Sequence, residues 1–131
     1  MTTLAYTRCG GGEPLVLLQG LGSFRQAWDP VVPALARVAD VIVVDLPGFG
    51  DSPRLPATVE PSPAALAVAV AGFLDELGLD TPHVAGNSLG GWVGLELAAV
   101  RPVASLTVLS PRGLWRSGTP LYCRASFQAS W

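Results

Sequence analysis

Gly86-Asn87-Ser88-Leu89-Gly90-Gly91 follows a short apolar run, His83-Val84-Ala85, and precedes an apolar stretch with helical spacing. It reads as a strand that reverses sharply into a helix, with one serine at the apex and its hydroxyl exposed, the arrangement of a nucleophile elbow. Gly86 and Gly90, two positions either side of Ser88, have a mechanical reason: side chains there would collide across so tight a bend. A chain with 15 glycines can also produce Gly-x-Ser-x-Gly by accident, as an ordinary turn, so the motif takes its meaning from its context.

Working outward, Leu89 to about Val100 is expected to be a helix, ended before Pro102. Gly90, Gly91 and Gly94 leave it little bulk on one side, so helix and sheet approach closely. Ser105 to Leu109 reads as the following strand. Upstream, Leu15-Val16-Leu17-Leu18 and Val41-Ile42-Val43-Val44 are apolar without alternation, as strands buried on both faces are. Leu4 to Arg8 is a short strand, with a turn from Cys9 to Pro14. Phe24, Trp28, Val31/Val32 and Leu35 have helical spacing, interrupted by Pro30 and Pro33. After Val44 comes a loop of turn formers, Asp45 to Pro53, that continues through Pro56, Pro61 and Pro63. Ser62 as N-cap and Pro63 at the first helical position open a helix with Leu66, Val70, Phe73, Leu74 and Leu77 on one face and Gly78 as its stop. Thr119-Pro120 opens a last helix running to Trp131.

Strands alternating with helices argue for an α/β fold: a mainly parallel sheet of about five strands, right-handed crossovers and helices on both faces. Ligands in such sheets bind at the carboxyl ends of the strands. Ser88, Gly20-Leu21-Gly22 and the Asp45 loop all follow strand ends and share that rim.

Composition excludes several classes of function. Of 131 residues, 50% are hydrophobic and 14% charged, which rules out a disordered solvating segment. A net charge of -2 without a basic run gives no footprint for nucleic acid or an acidic membrane. The longest apolar run, Ala64 to Leu74, is too short to span a bilayer and ends at Asp75-Glu76. Cys9 and Cys123 with a single histidine elsewhere have no metal-site spacing. The start of the chain lacks the basic and apolar regions of a signal peptide, so a soluble, cytoplasmic protein is expected.

Three motifs in order make the chain resemble the α/β-hydrolases: Gln19-Gly20-Leu21-Gly22 after the first buried strand, Asp45-Leu46-Pro47-Gly48-Phe49-Gly50-Asp51-Ser52 after the second, and Gly86 to Gly91. Ser110-Pro111-Arg112-Gly113-Leu114-Trp115 resembles the segment leading into that family's mobile cap. The resemblance implies an incomplete hydrolase core over residues 1–112 and the start of a cap or lid over 113–131. It also implies nucleophilic catalysis by Ser88 on an ester-like or other carbonyl small molecule, without cofactor or metal. The backbone N–H groups of Leu21 and Leu89 would form the oxyanion hole, and Phe24, beside that loop, would line a pocket.

Two features depart from the family pattern. Gln19 stands where many members have histidine. More seriously, the family order is serine, acid, histidine, yet no histidine follows Ser88 and the only later acid is Glu96, on a helix leading away from the rim. His83, at the start of the elbow strand, is expected roughly 15 Å from Ser88 at about 3.3 Å per residue. Asp45 is expected to fix its own Pro-Gly turn, and Trp28 and Trp92 to pack rather than touch substrate. The expectation is an N-terminal portion of a hydrolase, nearly inactive alone, with an exposed sheet edge that invites self-association. Two other readings compete with it. One is a non-catalytic binding module built on the same core. The other is a dinucleotide-binding domain, in which Gly20-Leu21-Gly22 and then Asp45 mimic the Rossmann pattern but Arg25 occupies the third glycine position.

Overall fold

A computed structural model describes residues 3–110. Five strands, β1 (Tyr6–Gly10), β2 (Pro14–Leu18), β3 (Asp40–Val44), β4 (His83–Asn87) and β5 (Ser105–Leu109), form one sheet in the order β1-β3-β2-β4-β5. β3, β2, β4 and β5 run parallel, while β1 pairs antiparallel with β3 at one edge. This is the expected α/β architecture.

The core divides by the two-residue period of the strands. Val16, Leu18, Ile42, Val44 and Val84 face α2 (Pro63–Glu76) and α3 (Leu89–Val100). Leu17, Val41 and Val43 face the other way, toward Trp28, Val32 and Leu35. Helices therefore lie on both faces, unequally. Among the described residues the helical cover of the second face is a four-residue 3-10 helix, Arg25–Trp28, and the single turn α1 (Val32–Leu35). The helix expected across this stretch is thus two short pieces, because neither Pro30 nor Pro33 can donate to an α-helical ladder.

α2 behaves as its end signals require. Ser62 Oγ accepts the Ala65 N–H at 3.1 Å with Pro63 just inside the helix. At the other end Gly78 is left-handed, with φ +69°, and Leu79 N–H returns to the Leu74 carbonyl at 2.9 Å, a Schellman closure. β1 is displaced from its expected position. Ala5 N–H is taken by Ser52 Oγ at 2.9 Å, while Gly10, with φ +94°, fits against the Ala39 carbonyl where no Cβ would fit. The strand therefore runs on through Cys9, and the turn is confined to the residues between Gly10 and Pro14. Among the described residues no helix is long and apolar enough to cross a membrane. The expected cap segment 113–131 and the helix from Thr119 lie outside the described residues.

Candidate active site

Ser88 is held between β4 and α3 with φ 54° and ψ -113°, a conformation that costs a non-glycine residue on the order of 1–3 kcal/mol. Tertiary packing over-determines it. A Cβ on Gly86 would strike the backbone of Gly90 and Gly91, which is the expected collision across the bend. A Cβ on Gly90 would instead strike the backbone of Leu18, at the end of β2. The second glycine therefore serves the approach of helix to sheet. Ser88 N–H donates to the Leu109 carbonyl at 2.9 Å, tying the turn to β5. The Ser88 hydroxyl makes no capping bond to α3, so the oxygen is not spent on the helix it begins.

The loop after β2 lies against this turn. A Cβ on Gly20 would come within 3.5 Å of Ser88 Cβ. Among the described residues, neither Leu21 N–H nor Leu89 N–H donates to a backbone carbonyl. Gln19, 1% exposed, accepts the Leu46 N–H at 3.3 Å through Oε1 and so joins this loop to the one after β3. Among the described residues its Nε2 has no partner.

A cleft of about 520 Å³ opens beside Ser88. Leu21, Ala27, Trp28, Val31 and Leu109 make its apolar surface; Gln19, Ser23, Asn87 and Ser88 make its polar one. Phe24, expected at this wall, is 50% exposed and not among the lining residues. Trp28, expected only to pack, does both: it lines the cleft and rests on the cluster of Leu17, Val41 and Val43. The reason is spacing, since the 3-10 turn carries Phe24 outward and Trp28 inward.

Asp45 does more than brace its own turn. Its wholly buried carboxylate accepts the Arg25 N–H at 2.6 Å, the Asp51 N–H at 3.0 Å and the Arg25 guanidinium, and Gly50 leaves room for it. Asp51, through a 3.0 Å bond, and Asp45 together hold the Arg25 guanidinium protonated above its ordinary range. Asp45 is therefore spent inside the protein and unavailable to a ribose, which removes the basis of the dinucleotide reading.

His83 sits where the strand direction puts it, at the opposite rim. Its Nδ1 meets Ser105 Oγ and its Nε2 meets Glu13 Oε2, each at 2.6 Å. Glu96 lies part-buried on α3, past its second turn. The described residues thus bring together Ser88, Leu89, Leu21 and the cleft, and leave the histidine elsewhere.

Comparison with known proteins agrees with this fold. Residues 13–124 match the family described as alpha/beta hydrolase fold. The chain is 40% identical over 112 residues to the dihydrolipoyllysine-residue acetyltransferase component of the acetoin cleaving system of Cupriavidus necator, covering 82% of this chain and 29% of that protein. It is 45% identical over 100 residues to the pimeloyl-[acyl-carrier protein] methyl ester esterase of Aeromonas hydrophila subsp. hydrophila, covering 76% of this chain and 37% of that one. Among solved structures it superposes on a bacterial membrane phospholipase A with TM-score 0.81 at 31% identity, covering 88% of this chain and 38% of the other. The chain thus spans about a third of the length of these relatives.

Proposed function

The chain belongs to the alpha/beta hydrolase fold family, and we propose that it contributes the nucleophile and the oxyanion-binding groups of a serine hydrolase acting on an ester-like or other carbonyl substrate. The observation that carries this reading is the strained backbone of Ser88 beside the cleft, next to the Leu21 and Leu89 N–H groups, which among the described residues donate to no backbone carbonyl. Ser88 Oγ attacks the carbonyl carbon, forming a C–O bond while the carbonyl electron pair moves to oxygen. Leu89 N–H and Leu21 N–H then donate to that oxyanion; one such donor is commonly worth about 3–4 kcal/mol of barrier. Collapse expels the alcohol, which takes a proton as it leaves, and water releases the acyl group.

The Oγ proton needs an acceptor. His83 is excluded by its place at the far rim, so we assign the base and its carboxylate to the remainder of the whole protein. The relatives named as esterase and phospholipase support a carbonyl ester as substrate class. The test is labelling with an organophosphorus ester in the protein that carries this chain, located by peptide mapping. Ser88 is expected to bear the adduct, and Ser88→Ala none; an adduct on another serine, or none at all, overturns the reading.

A second reading is a binding module that keeps the core without the reaction. Ligand binding with an inert Ser88 would select it. The β5 edge, unpaired among the described residues and carrying the 48% exposed Leu109, supports self-association of the isolated chain. Clean monomeric sedimentation would count against that. The thiol of Cys9, exposed and without a disulfide partner among the described residues, fits a reducing, cytoplasmic location.

A further inference from the structure

Gly20, Leu21, Gly22 and Ser23 form a turn that Ser23 N–H closes on the Gly20 carbonyl at 3.2 Å. Of its two central residues only Gly22 is left-handed, at φ +70°, so the turn is type II. The N–H of the first central residue, Leu21, takes no part in closing it. One side of the turn lies against the elbow, where a Cβ on Gly20 would be in contact with the Ser88 side chain. The residues that bracket the turn are tied elsewhere. Before it, Gln19 Oε1 accepts the Leu46 N–H at 3.3 Å; after it, the Arg25 N–H donates to the Asp45 carboxylate at 2.6 Å. Both ties end on adjacent residues of the loop that follows β3.

The second tie exceeds what a turn residue needs. An aspartate that braced only its own Pro-Gly turn would need no more than the Asp51 N–H, at 3.0 Å. Asp45 is wholly buried, and its carboxylate also takes the main chain and the guanidinium of Arg25, 20 residues back along the chain. A buried carboxylate is costly without such partners, and it holds them firmly, because hydrogen bonds to an ionised acceptor are roughly twice as strong as neutral ones. A donor to an oxyanion works only when it stands about 2.7–3.1 Å from the place that oxygen will occupy. The Leu21 N–H therefore depends on where the two ends of its turn are fixed.

We propose that Asp45 is the positioning residue for the Leu21 N–H: with Arg25 as its counter-ion and the Gln19–Leu46 bond as the second tie, it clamps the turn of residues 20–23 against Ser88 from the loop after β3. The benefit to catalysis rests on the reading of Ser88 as nucleophile and Leu21 N–H as oxyanion donor; the clamp does not.

The test uses the whole protein that carries this chain, with diethyl 4-nitrophenyl phosphate as probe, and measures the saturating rate of Ser88 labelling and the half-saturating concentration. In Asp45→Asn the carboxamide turns an N–H₂ toward a donor that the carboxylate accepted. This variant and Arg25→Met should lower the saturating rate by about tenfold or more, with the half-saturating concentration unchanged within about twofold. Leu21→Pro deletes the N–H and keeps the turn, since proline suits the first central position of type II, and should cost about 100-fold. In the Leu21→Pro background Asp45→Asn should change the rate by less than about twofold, because the group it positions is gone. A carboxylate that only supported the fold would cost the same factor in both backgrounds. Hydrogen exchange of a peptide spanning residues 20–25 should quicken about tenfold in Asp45→Asn, while that of residues 86–91 stays unchanged. Gln19→Met, which removes only the weaker tie, should lower the rate by about threefold and likewise only while the Leu21 N–H is present, which keeps the test decisive where the Asp45 and Arg25 variants fail to fold. Equal costs in the two backgrounds, an unchanged saturating rate, or unchanged exchange over residues 20–25 overturns the assignment. A wild type that is not labelled at Ser88 overturns the nucleophile reading alone, and the clamp then stands or falls on the exchange measurement.

Discussion

The two rims of the sheet each hold a serine with partners, and they differ in what those partners cost. At the amino rim, Ser105, His83 and Glu13 line up at 2.6 Å contacts that look like a catalytic relay. Ser105 sits in ordinary extended backbone, Glu13 is 81% exposed, and no residue of the three lines the cleft. At the carboxyl rim, Ser88 has no histidine but is held in a strained conformation over a cleft. Among the described residues, two buried side-chain nitrogens of the residues lining that cleft, on Gln19 and Trp28, lack a partner. The His83 chain has its hydrogen bonds made, whereas the cleft beside Ser88 keeps unpartnered groups. Strain and unpaired groups persist only where the surrounding packing enforces them, and such places are where sites are built. A triad-like set of residues without a shaped cavity is an exposed hydrogen-bond chain.

The largest expected difference is chemical. Organophosphorus labelling should favour Ser88 over Ser105 by on the order of 100-fold, the worth of an oxyanion donor. Equal labelling, measured by peptide mass spectrometry, would erase the contrast between the rims. Next comes Gly90→Ala, whose Cβ meets the main chain of Leu18 and cannot be accommodated by a side-chain rotation. Overpacking of this kind should cost about 3 kcal/mol in a urea titration, against less than about 1 kcal/mol for Ser105→Ala at the other rim. Ser88→Gly should act in the opposite sense, stabilising the fold by on the order of 1 kcal/mol because glycine accepts φ 54° without penalty, while removing the nucleophile.

The smallest effect is expected at Arg8–Asp40, a bidentate pair on the amino side of the sheet. Arg8 is 41% exposed, so Arg8→Ala should lower stability by less than about 1 kcal/mol at neutral pH. The hydrogen bond from Arg8 lowers the Asp40 pKa in the folded state. The contribution is therefore present above the ordinary aspartate value of about 3.9 and fades as pH falls through the depressed one. Thermal melts of wild type and variant should converge in acid; a gap that stays constant with pH would show that the pair contributes packing alone.

Much of this was legible in the residues because the signals are local. The glycines around Ser88, the uninterrupted apolar strands, the Ser62-Pro63 helix start and the Gly78 stop each act within a few positions along the chain. The same locality made His83 readable as distant from Ser88, since both lie on one strand at its two ends. Phe24 stands exposed and Trp28 lines the cleft as well as packing, because the residues do not show the 3-10 pitch of a segment whose prolines announce only an interruption. Arg25 was visible merely as the wrong residue for a third glycine, and Asp45 as a turn former.

The sequence was enough to establish the α/β layering and the sharp strand-to-helix turn at Ser88. These follow from hydrophobic period and turn chemistry, which are properties of short stretches. The fold had to bring Asp45 onto Arg25, 20 residues away. It also had to press Gly90 against Leu18. Neither contact has a local signal, because each arises from two strands laid side by side in the order β3-β2-β4, and that order exists only once the sheet has formed.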